Sequence, residues 1–113
     1  MKSKILALSK NEEFKNLLKK KKISNKYITI FFGYLDNKDN RKLNMSFVTK
    51  KKLGNAVKRN KIKRRLKNIM NDAIKKIPIK LNYSYLVIAK STMLNNEFKK
   101  IKETLFQEFR KIK

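Results

Sequence analysis

A 23-residue amphipathic pattern between Gly54 and Pro78 is the strongest structural constraint in this chain. Its apolar residues recur every three or four positions, which places them on one side of a helix. They are Ile62, Leu66, Ile69, Ala73 and Ile77. Asn55 is a suitable N-cap, and Pro78 ends the pattern. Because such a helix depends on burial of its apolar side, the rest of the chain must supply a covering surface.

Segments rich in β-branched and aromatic residues predict a sheet that covers this helix. Two of them, Tyr27–Leu35 and Leu43–Thr49, flank the polar turn Asp36–Lys42, and we predict that they pair as a hairpin. Tyr83–Ala89 is a further predicted strand, and a short additional strand is predicted near Ile23–Lys26.

Two more helices are predicted at the ends of the chain. A capping box, with Ser9 as N-cap and Glu12 three residues later, predicts a first helix from about Lys10 to Lys20. Ser91 or Asn95 is predicted to cap the last helix. Its apolar side carries Phe98, Ile101, Leu105, Phe109 and Ile112. The resulting order, α-β-β-β-α-β-α over residues 1–113, predicts one α+β domain with helices packed on a mixed sheet.

The charge balance indicates a polyanionic partner. With 32 basic and 8 acidic residues, the net charge is +24, and this self-repulsion destabilises a compact chain. Nucleic acid is the first candidate partner, and an acidic membrane surface is the second. An apolar content of 41% is near the globular average, which argues against a disordered chain.

Several classes of protein are excluded by composition. The chain has no Cys and no His, so it can form neither disulfides nor Cys/His zinc sites. No apolar run approaches the roughly 20 residues of a membrane helix. The N-terminus lacks a signal-peptide pattern. We therefore predict a cytoplasmic protein with no membrane partner.

The basic residues are concentrated around the start of the central helix. Asn40–Asn71 contains twelve Lys or Arg and no acid, and three of the five arginines, Arg59, Arg64 and Arg65, fall within seven residues. Cations at a helix N-terminus oppose the helix dipole, and each one destabilises the helix by about 0.3–1 kcal/mol. A bound phosphate would make the electrostatic energy at this helix start favourable, because it would contact the free N–H groups and the cations together. This placement therefore predicts a phosphate-binding surface.

A second stripe runs along nearly the opposite side of the central helix. It consists of Asn60, Arg64, Lys67, Asn71 and Lys75, and Lys61 and Asn68 widen it. One alternative is a solvated lysine-rich face, but the arginine clustering and the acid-free window argue against it. A nuclear-localisation signal would usually lie in an exposed tail. A membrane-surface or calmodulin-type helix would need aromatic residues on its apolar side, and this side has none.

The run KKLGNAVKRNKIKRRLK resembles the signature of the protein component of bacterial ribonuclease P. In that family Lys-Lys-x-Gly-Asn-Ala-Val leads into Arg-Asn-Arg-x-Lys-Arg-x-x-Arg. The matching residues are Lys51, Lys52, Gly54, Asn55, Ala56, Val57, Arg59, Asn60, Lys63 and Arg64. Lys61 and Lys67 replace two arginines, which keeps the charge but loses the planar fork that grips a phosphate.

The resemblance extends over nearly the whole chain and implies both a fold and a function. The fold would be α+β, with a left-handed β-α-β crossover around the motif helix. The protein would assist a catalytic RNA in the Mg²⁺-dependent removal of the 5′ leader from precursor tRNA. The RNA would hold most of the Mg²⁺. The implied RNA-binding residues are Lys51, Lys52, Asn55, Arg59, Asn60, Lys61, Lys63, Arg64 and Lys67.

The resemblance also implies a separate cleft for the single-stranded leader, between the first helix and the sheet. Phe14, Leu18 and Phe31 match its positions. Aromatic rings suit single strands, because base stacking is worth about 1–3 kcal/mol per base. Leu18 stands where the family often has Phe, so we expect weaker stacking there. Core packing is the alternative role for all three residues.

The residues do not suggest a nuclease that acts without RNA. A protein nuclease typically uses clustered carboxylates with metal ions, or a His general base. The eight acids scatter along the chain, and no pair is placed to hold two metals. We therefore predict no catalytic or metal-binding residue in the protein. As a separate prediction, the protein alone is a monomer. A ribosomal-protein-like RNA binder and a self-sufficient endonuclease remain the alternatives.

Overall fold

Five strands and four helices form the described part of the chain, which in this computed structural model comprises residues 5–8, 11–36, 38–39, 41–95 and 97–112. The strands are β1 (Ile5–Leu6), β2 (Lys21–Ser24), β3 (Ile28–Gly33), β4 (Leu43–Val48) and β5 (Ser84–Ala89). The helices are α1 (Asn11–Leu17), α2 (Ala56–Lys76), α3 (Thr92–Asn95) and α4 (Phe98–Arg110). A 3₁₀ turn, Lys51–Leu53, precedes α2.

The strands form one mixed sheet in the order β1-β4-β5-β3-β2. β4 is parallel to both β1 and β5, whereas β3 is antiparallel to both β5 and β2. Because α2 joins the parallel neighbours β4 and β5, the β-α-β unit implied by the resemblance is confirmed, as is the α+β class.

The predicted hairpin between β3 and β4 is wrong. β5 lies between them and pairs with both, from Ile28 opposite Ala89 on one side to Asn44 opposite Ser84 on the other. Residues 34–42 separate the two strands, a connection longer than the two to five residues that usually close a hairpin.

The larger core lies between one face of the sheet and helices α2 and α4. Alternate residues of β3 point into it, including Ile28, Ile30 and Phe32, and so do Tyr85 and Val87 of β5. All five predicted apolar residues of α2 are buried there. The predicted stripe of α4 is buried apart from Phe98, which is 38% exposed. The amphipathic pattern therefore gave the correct buried side of both helices.

Helix α1 covers the opposite face of the sheet. Leu17 is fully buried there and belongs to a small cluster with Leu8 and Leu86. Phe14 and Phe31 are partly buried and pack against this cluster. The sheet is thus sandwiched between α1 on one face and the larger helices on the other.

Some predicted boundaries differ from the structure. α1 ends at Leu17, before the predicted end at Lys20, and its predicted N-cap Ser9 lies outside the described residues. Glu97 occupies the N-cap position of α4, so neither Ser91 nor Asn95 caps it. The short elements β1 and α3 had not been predicted. None of the described helices is long and apolar enough to cross a membrane.

Candidate nucleic-acid interface

The start of α2 is fixed by three local features. Leu53 is buried and anchors the 3₁₀ turn to the core. Gly54 has a φ of 134°, a conformation that favours glycine, and a Cβ there would lie 2.9 Å from Cδ of Lys58. The Asn55 Oδ1 accepts a hydrogen bond of 3.0 Å from the Lys58 backbone N–H, which confirms the predicted N-cap. These contacts set the direction in which the basic residues project.

Most of the predicted RNA-binding residues are exposed, and the first turn of α2 contains no acid. The exposed members are Lys51, Lys52, Asn55, Asn60, Lys61, Lys63, Arg64 and Lys67. The structure therefore leaves positive charge and the helix N-terminus on one accessible surface, which we call the motif surface. Such a surface is suited to bind phosphate.

The three clustered arginines have different surroundings. Arg64 is exposed on the motif surface. Arg65 is partly buried and donates a hydrogen bond of 3.3 Å to the Met93 carbonyl, so it ties α2 to α3. Arg59 is also partly buried, and its buried Nε has no hydrogen-bond partner.

A cavity of about 390 Å³ joins the motif surface to the sheet. Lys63, Arg64 and Lys67 of α2 line one side of it, and Phe14 of α1 lines another. Its remaining lining comes from Ile5, Ala7, Ser46, Phe47 and Val48. Phe14 therefore lines one cavity together with residues of the motif surface, and the separate leader cleft stays a prediction. The β-α-β connection causes this, because it brings α2 beside β4.

The other two predicted cleft residues lie outside this cavity. Phe31 is on the same face of the sheet as Phe14, and the Lys22 Nζ lies 5.9 Å from its ring centroid. Leu18 is 49% exposed and lies beyond the C-terminal end of α1. The structure thus groups Phe14 and Phe31 around one apolar cluster and leaves Leu18 outside it.

A neighbouring cavity of about 550 Å³ contains basic residues that sequence reasoning missed. Lys50 and Lys90 line it together with Lys52 of the motif. The Lys90 Nζ donates a hydrogen bond of 2.8 Å to Ser24 Oγ, which holds it near β2. Its position directly after β5 was visible in the sequence, but only the sheet order shows that it lines the same cavity as Lys52.

Four of the acidic residues form ion pairs with basic side chains. A hydrogen bond from Arg41 lowers the pKa of Asp39, and a hydrogen bond from Lys102 of α4 lowers the pKa of Asp72 on α2. Glu13 pairs with Lys38, and Glu108 pairs with Lys111. Within the described ranges, no three Asp, Glu, His or Cys residues lie close enough together to hold a metal ion.

An exposed basic helix face beside an aromatic-lined cavity, on an α+β sheet, defines the class of small nucleic-acid-binding proteins. The Ribonuclease P family model matches residues 3–113. The chain belongs to this family, whose motif it carries on α2.

Relatives agree with this assignment. The ribonuclease P protein component of Carboxydothermus hydrogenoformans is 36% identical over 102 residues, which cover 87% of this chain and 83% of that relative. The ribonuclease P protein component of Bacillus pumilus is 34% identical, over 92% of this chain and 85% of that relative. The Thermotoga maritima RNase P protein has a similar fold, with a TM-score of 0.79, 23% identity, and 96% and 98% covered. The Staphylococcus aureus RNase P protein also has a similar fold, with a TM-score of 0.76 and 26% sequence identity. The match covers 94% of this chain and 93% of that protein.

Proposed function

We propose that this chain is the protein subunit of a ribonuclease P. It binds a catalytic RNA and assists removal of the 5′ leader from precursor tRNA in the cytoplasm. The cavity that joins Phe14 to Lys63, Arg64 and Lys67 is the observation that supports this proposal best. It combines an aromatic ring for a base with cations for the adjacent phosphates, which is what a single-stranded nucleotide requires.

The proposal divides RNA contacts between two parts of the molecule. The motif surface neutralises phosphates of the catalytic RNA, with the N-terminus of α2 adding its dipole. The cavity holds a leader nucleotide, with its base on Phe14 and its phosphate on Lys63, Arg64 or Lys67. Since these side chains line one cavity, the leader and the catalytic RNA would meet along one edge of α2.

The protein positions RNA and lowers its charge repulsion, and the hydrolysis takes place on the RNA. Mg²⁺, held mainly by the RNA, would supply the charge that stabilises the reacting phosphate. The scattered acids support this division, because four of them are engaged in ion pairs with basic side chains. Neutralised phosphates would also let the RNA fold and bind its metal at lower Mg²⁺.

A cleavage assay distinguishes this proposal from its two alternatives. Purified protein is incubated with precursor tRNA at low Mg²⁺, with and without the catalytic RNA from the same cell. We expect accurate cleavage only when both are present. Cleavage by the protein alone would indicate a self-sufficient endonuclease. If the RNA gained nothing from the protein, a ribosomal-protein-like RNA binder would be favoured instead, although the family match argues against it.

The leader contact has its own test in the substitution Phe14→Ala. We expect affinity for precursor tRNA to fall roughly 5- to 100-fold, because stacking is worth about 1–3 kcal/mol per base. Affinity for mature tRNA, which has no leader, should not change. Phe98→Ala is the matched control, since Phe98 is also partly exposed but lies on α4. Equal losses for precursor and mature tRNA would mean that Phe14 only supports the fold.

A further inference from the structure

A cavity at the C-terminal end of β3 has no role in the proposed function. It encloses about 470 Å³, and none of its lining residues belongs to α2 or the motif. The residues are Lys19, Lys20, Lys21, Phe32, Gly33, Tyr34 and Tyr83, which we call the tyrosine–lysine cavity. It lies where β3 ends and β5 begins, because Gly33 pairs with Ser84. The chain enters β5 from the C-terminal end of α2, so the 21-residue helix, roughly 30 Å long, separates this connection from the cations at the start of α2.

The ring of Tyr34 is both exposed and fixed in position. Its side chain is 57% exposed, yet its ring packs edge-on against Tyr83, with centroids 4.7 Å apart. Asn82 Nδ2 donates to the Tyr34 hydroxyl at 3.4 Å, and Tyr83 packs in turn on Phe32 at 5.7 Å. A fixed aromatic face that solvent can reach is a platform on which a nucleobase can stack.

Lysines surround this ring. Lys19, Lys20 and Lys21 are all exposed, and the Lys80 Nζ lies 5.3 Å from the Tyr83 ring centroid. Gly33 makes room for one of them, since a Cβ at Gly33 would lie 2.6 Å from Cδ of Lys20. The absence of that Cβ lets the Lys20 stem lie across the end of β3, beside Tyr34.

One acid lies close by and does not cancel this charge. Asp36 lines an adjoining cavity of about 390 Å³ together with Asn16, Lys19, Lys20, Tyr34 and Leu35. Because lysines outnumber Asp36 around Tyr34, the surface favours an anion. An exposed ring among cations fits the two parts of a nucleotide, a base and a phosphate.

We propose that the tyrosine–lysine cavity is a second RNA site, which binds a nucleotide of single-stranded RNA. The base stacks on Tyr34, and Lys19, Lys20 and Lys21 hold the phosphates on either side. A duplex would hide the base faces inside its stack, so the occupant is unpaired. This site is additional to the motif surface and would let the protein hold RNA at both ends of its sheet.

The chain contains no Trp, so Tyr34→Trp creates a single fluorescent reporter inside the cavity. The probe is a labelled six-nucleotide oligouridylate, and an abasic oligonucleotide with the same phosphates is the control. We expect saturable quenching by oligouridylate, with an affinity roughly 5- to 100-fold above that for the abasic control, from the stacking energy. The proposal would be overturned if the anisotropy of the probe showed binding without any quenching. It would also be overturned if the abasic control or hexaglutamate quenched the fluorescence as strongly as oligouridylate.

The lysines are tested by a matched pair of variants in the same reporter chain. Lys19→Gln/Lys20→Gln removes two charges at the cavity, and Lys99→Gln/Lys100→Gln removes two exposed charges from α4. We expect the first pair to weaken quenching at least fivefold more than the second. Gly33→Ala, which displaces the Lys20 stem, should also weaken it. Equal effects of the two pairs would contradict a specific site.

Cross-linking tests the unaltered protein and identifies the source of the RNA. Holoenzyme is assembled with 4-thiouridine either in the catalytic RNA or in the precursor leader, irradiated, digested and analysed by mass spectrometry. A cross-link to the peptide that carries Tyr34, from either RNA, supports the site. Cross-links confined to the motif surface and Phe14 would overturn it. The cleavage assay tests the proposed function separately, so this site can fail while that function stands.

Discussion

Replacing Arg64 by alanine tests the motif surface at its most informative residue. The Arg64 side chain is exposed and lines the cavity that also contains Phe14, Lys63 and Lys67. Alanine is a strong helix former, and the buried side of α2 is not altered by this change. The free energy of unfolding should therefore stay within about 0.5 kcal/mol of the parent. Any larger effect on RNA binding would come from lost RNA contacts.

The expected loss follows from the guanidinium geometry. A guanidinium can hold a phosphate by two parallel hydrogen bonds, and hydrogen bonds to charged groups contribute about 1.5–3 kcal/mol. This corresponds to a roughly 10- to 100-fold higher Kd for the catalytic RNA. One fewer neutralised phosphate should also reduce the slope of log K against log salt by about 0.7–0.9. Arg64→Lys keeps the charge without the fork, so its Kd should lie between those of the parent and the alanine variant.

The assay measures the Kd for the catalytic RNA from low to high salt for the parent and the variants. Lys99→Ala is the control, because Lys99 is exposed on α4 and outside both the motif surface and the cavity. We expect this control to change Kd by less than about threefold, as a charge that acts only through a screened field. If Arg64→Ala and Lys99→Ala had equal effects, RNA would be bound by diffuse charge, and the motif surface would not be a defined site.

Two further predictions concern stability. Leu66→Ala should lower the free energy of unfolding by about 2–5 kcal/mol, because Leu66 is fully buried under the sheet. Val57→Ala, at a 73% exposed position, should change the free energy of unfolding little. Denaturant titration measures both values. The Lys102 hydrogen bond lowers the pKa of Asp72 below 3.8, so this pair stabilises the protein above that pH and ceases to do so as the pH falls through the lowered pKa. Asp72→Asn should therefore reduce stability at neutral pH and match the parent in strong acid, and a constant difference at every pH would contradict the ion pair.

The sequence predicted helices and buried residues well, because these depend on local periodicity. The apolar stripe of α2 and the Asn55 cap are set by residues within a few positions of one another. Short elements gave no such signal. β1 has two residues and α3 has four, which is too few for a period to be visible.

Strand order could not be read from the same patterns. Alternation in β4 shows which residues face each side of the sheet, but it does not name the neighbouring strand. β5 therefore displaced the expected hairpin by inserting between β3 and β4. The length of the segment from residue 34 to residue 42 was the one signal against a tight hairpin.

The sequence named the residues of the candidate site but did not show which of them line one cavity. The motif match gave Lys63, Arg64 and Lys67, and a separate match gave Phe14. Their shared cavity depends on α2 lying beside β4, which is a tertiary result. The same reason hid Lys90, which lines a cavity with Lys52 because the ends of β4 and β5 are adjacent.

The most direct test of the central claim measures stability and RNA affinity in one variant, Lys58→Gln/Lys61→Gln. Both lysines are exposed. Lys58 lies in the first turn of α2, where its charge opposes the helix dipole, and Lys61 lies one turn further on and repels Lys58 at i,i+3. If RNA supplies the compensating negative charge, the free variant should be more stable than the parent by roughly 0.5–1.5 kcal/mol, and it should bind the catalytic RNA more weakly. A variant that is less stable without RNA, or that binds RNA as tightly as the parent, would contradict the claim.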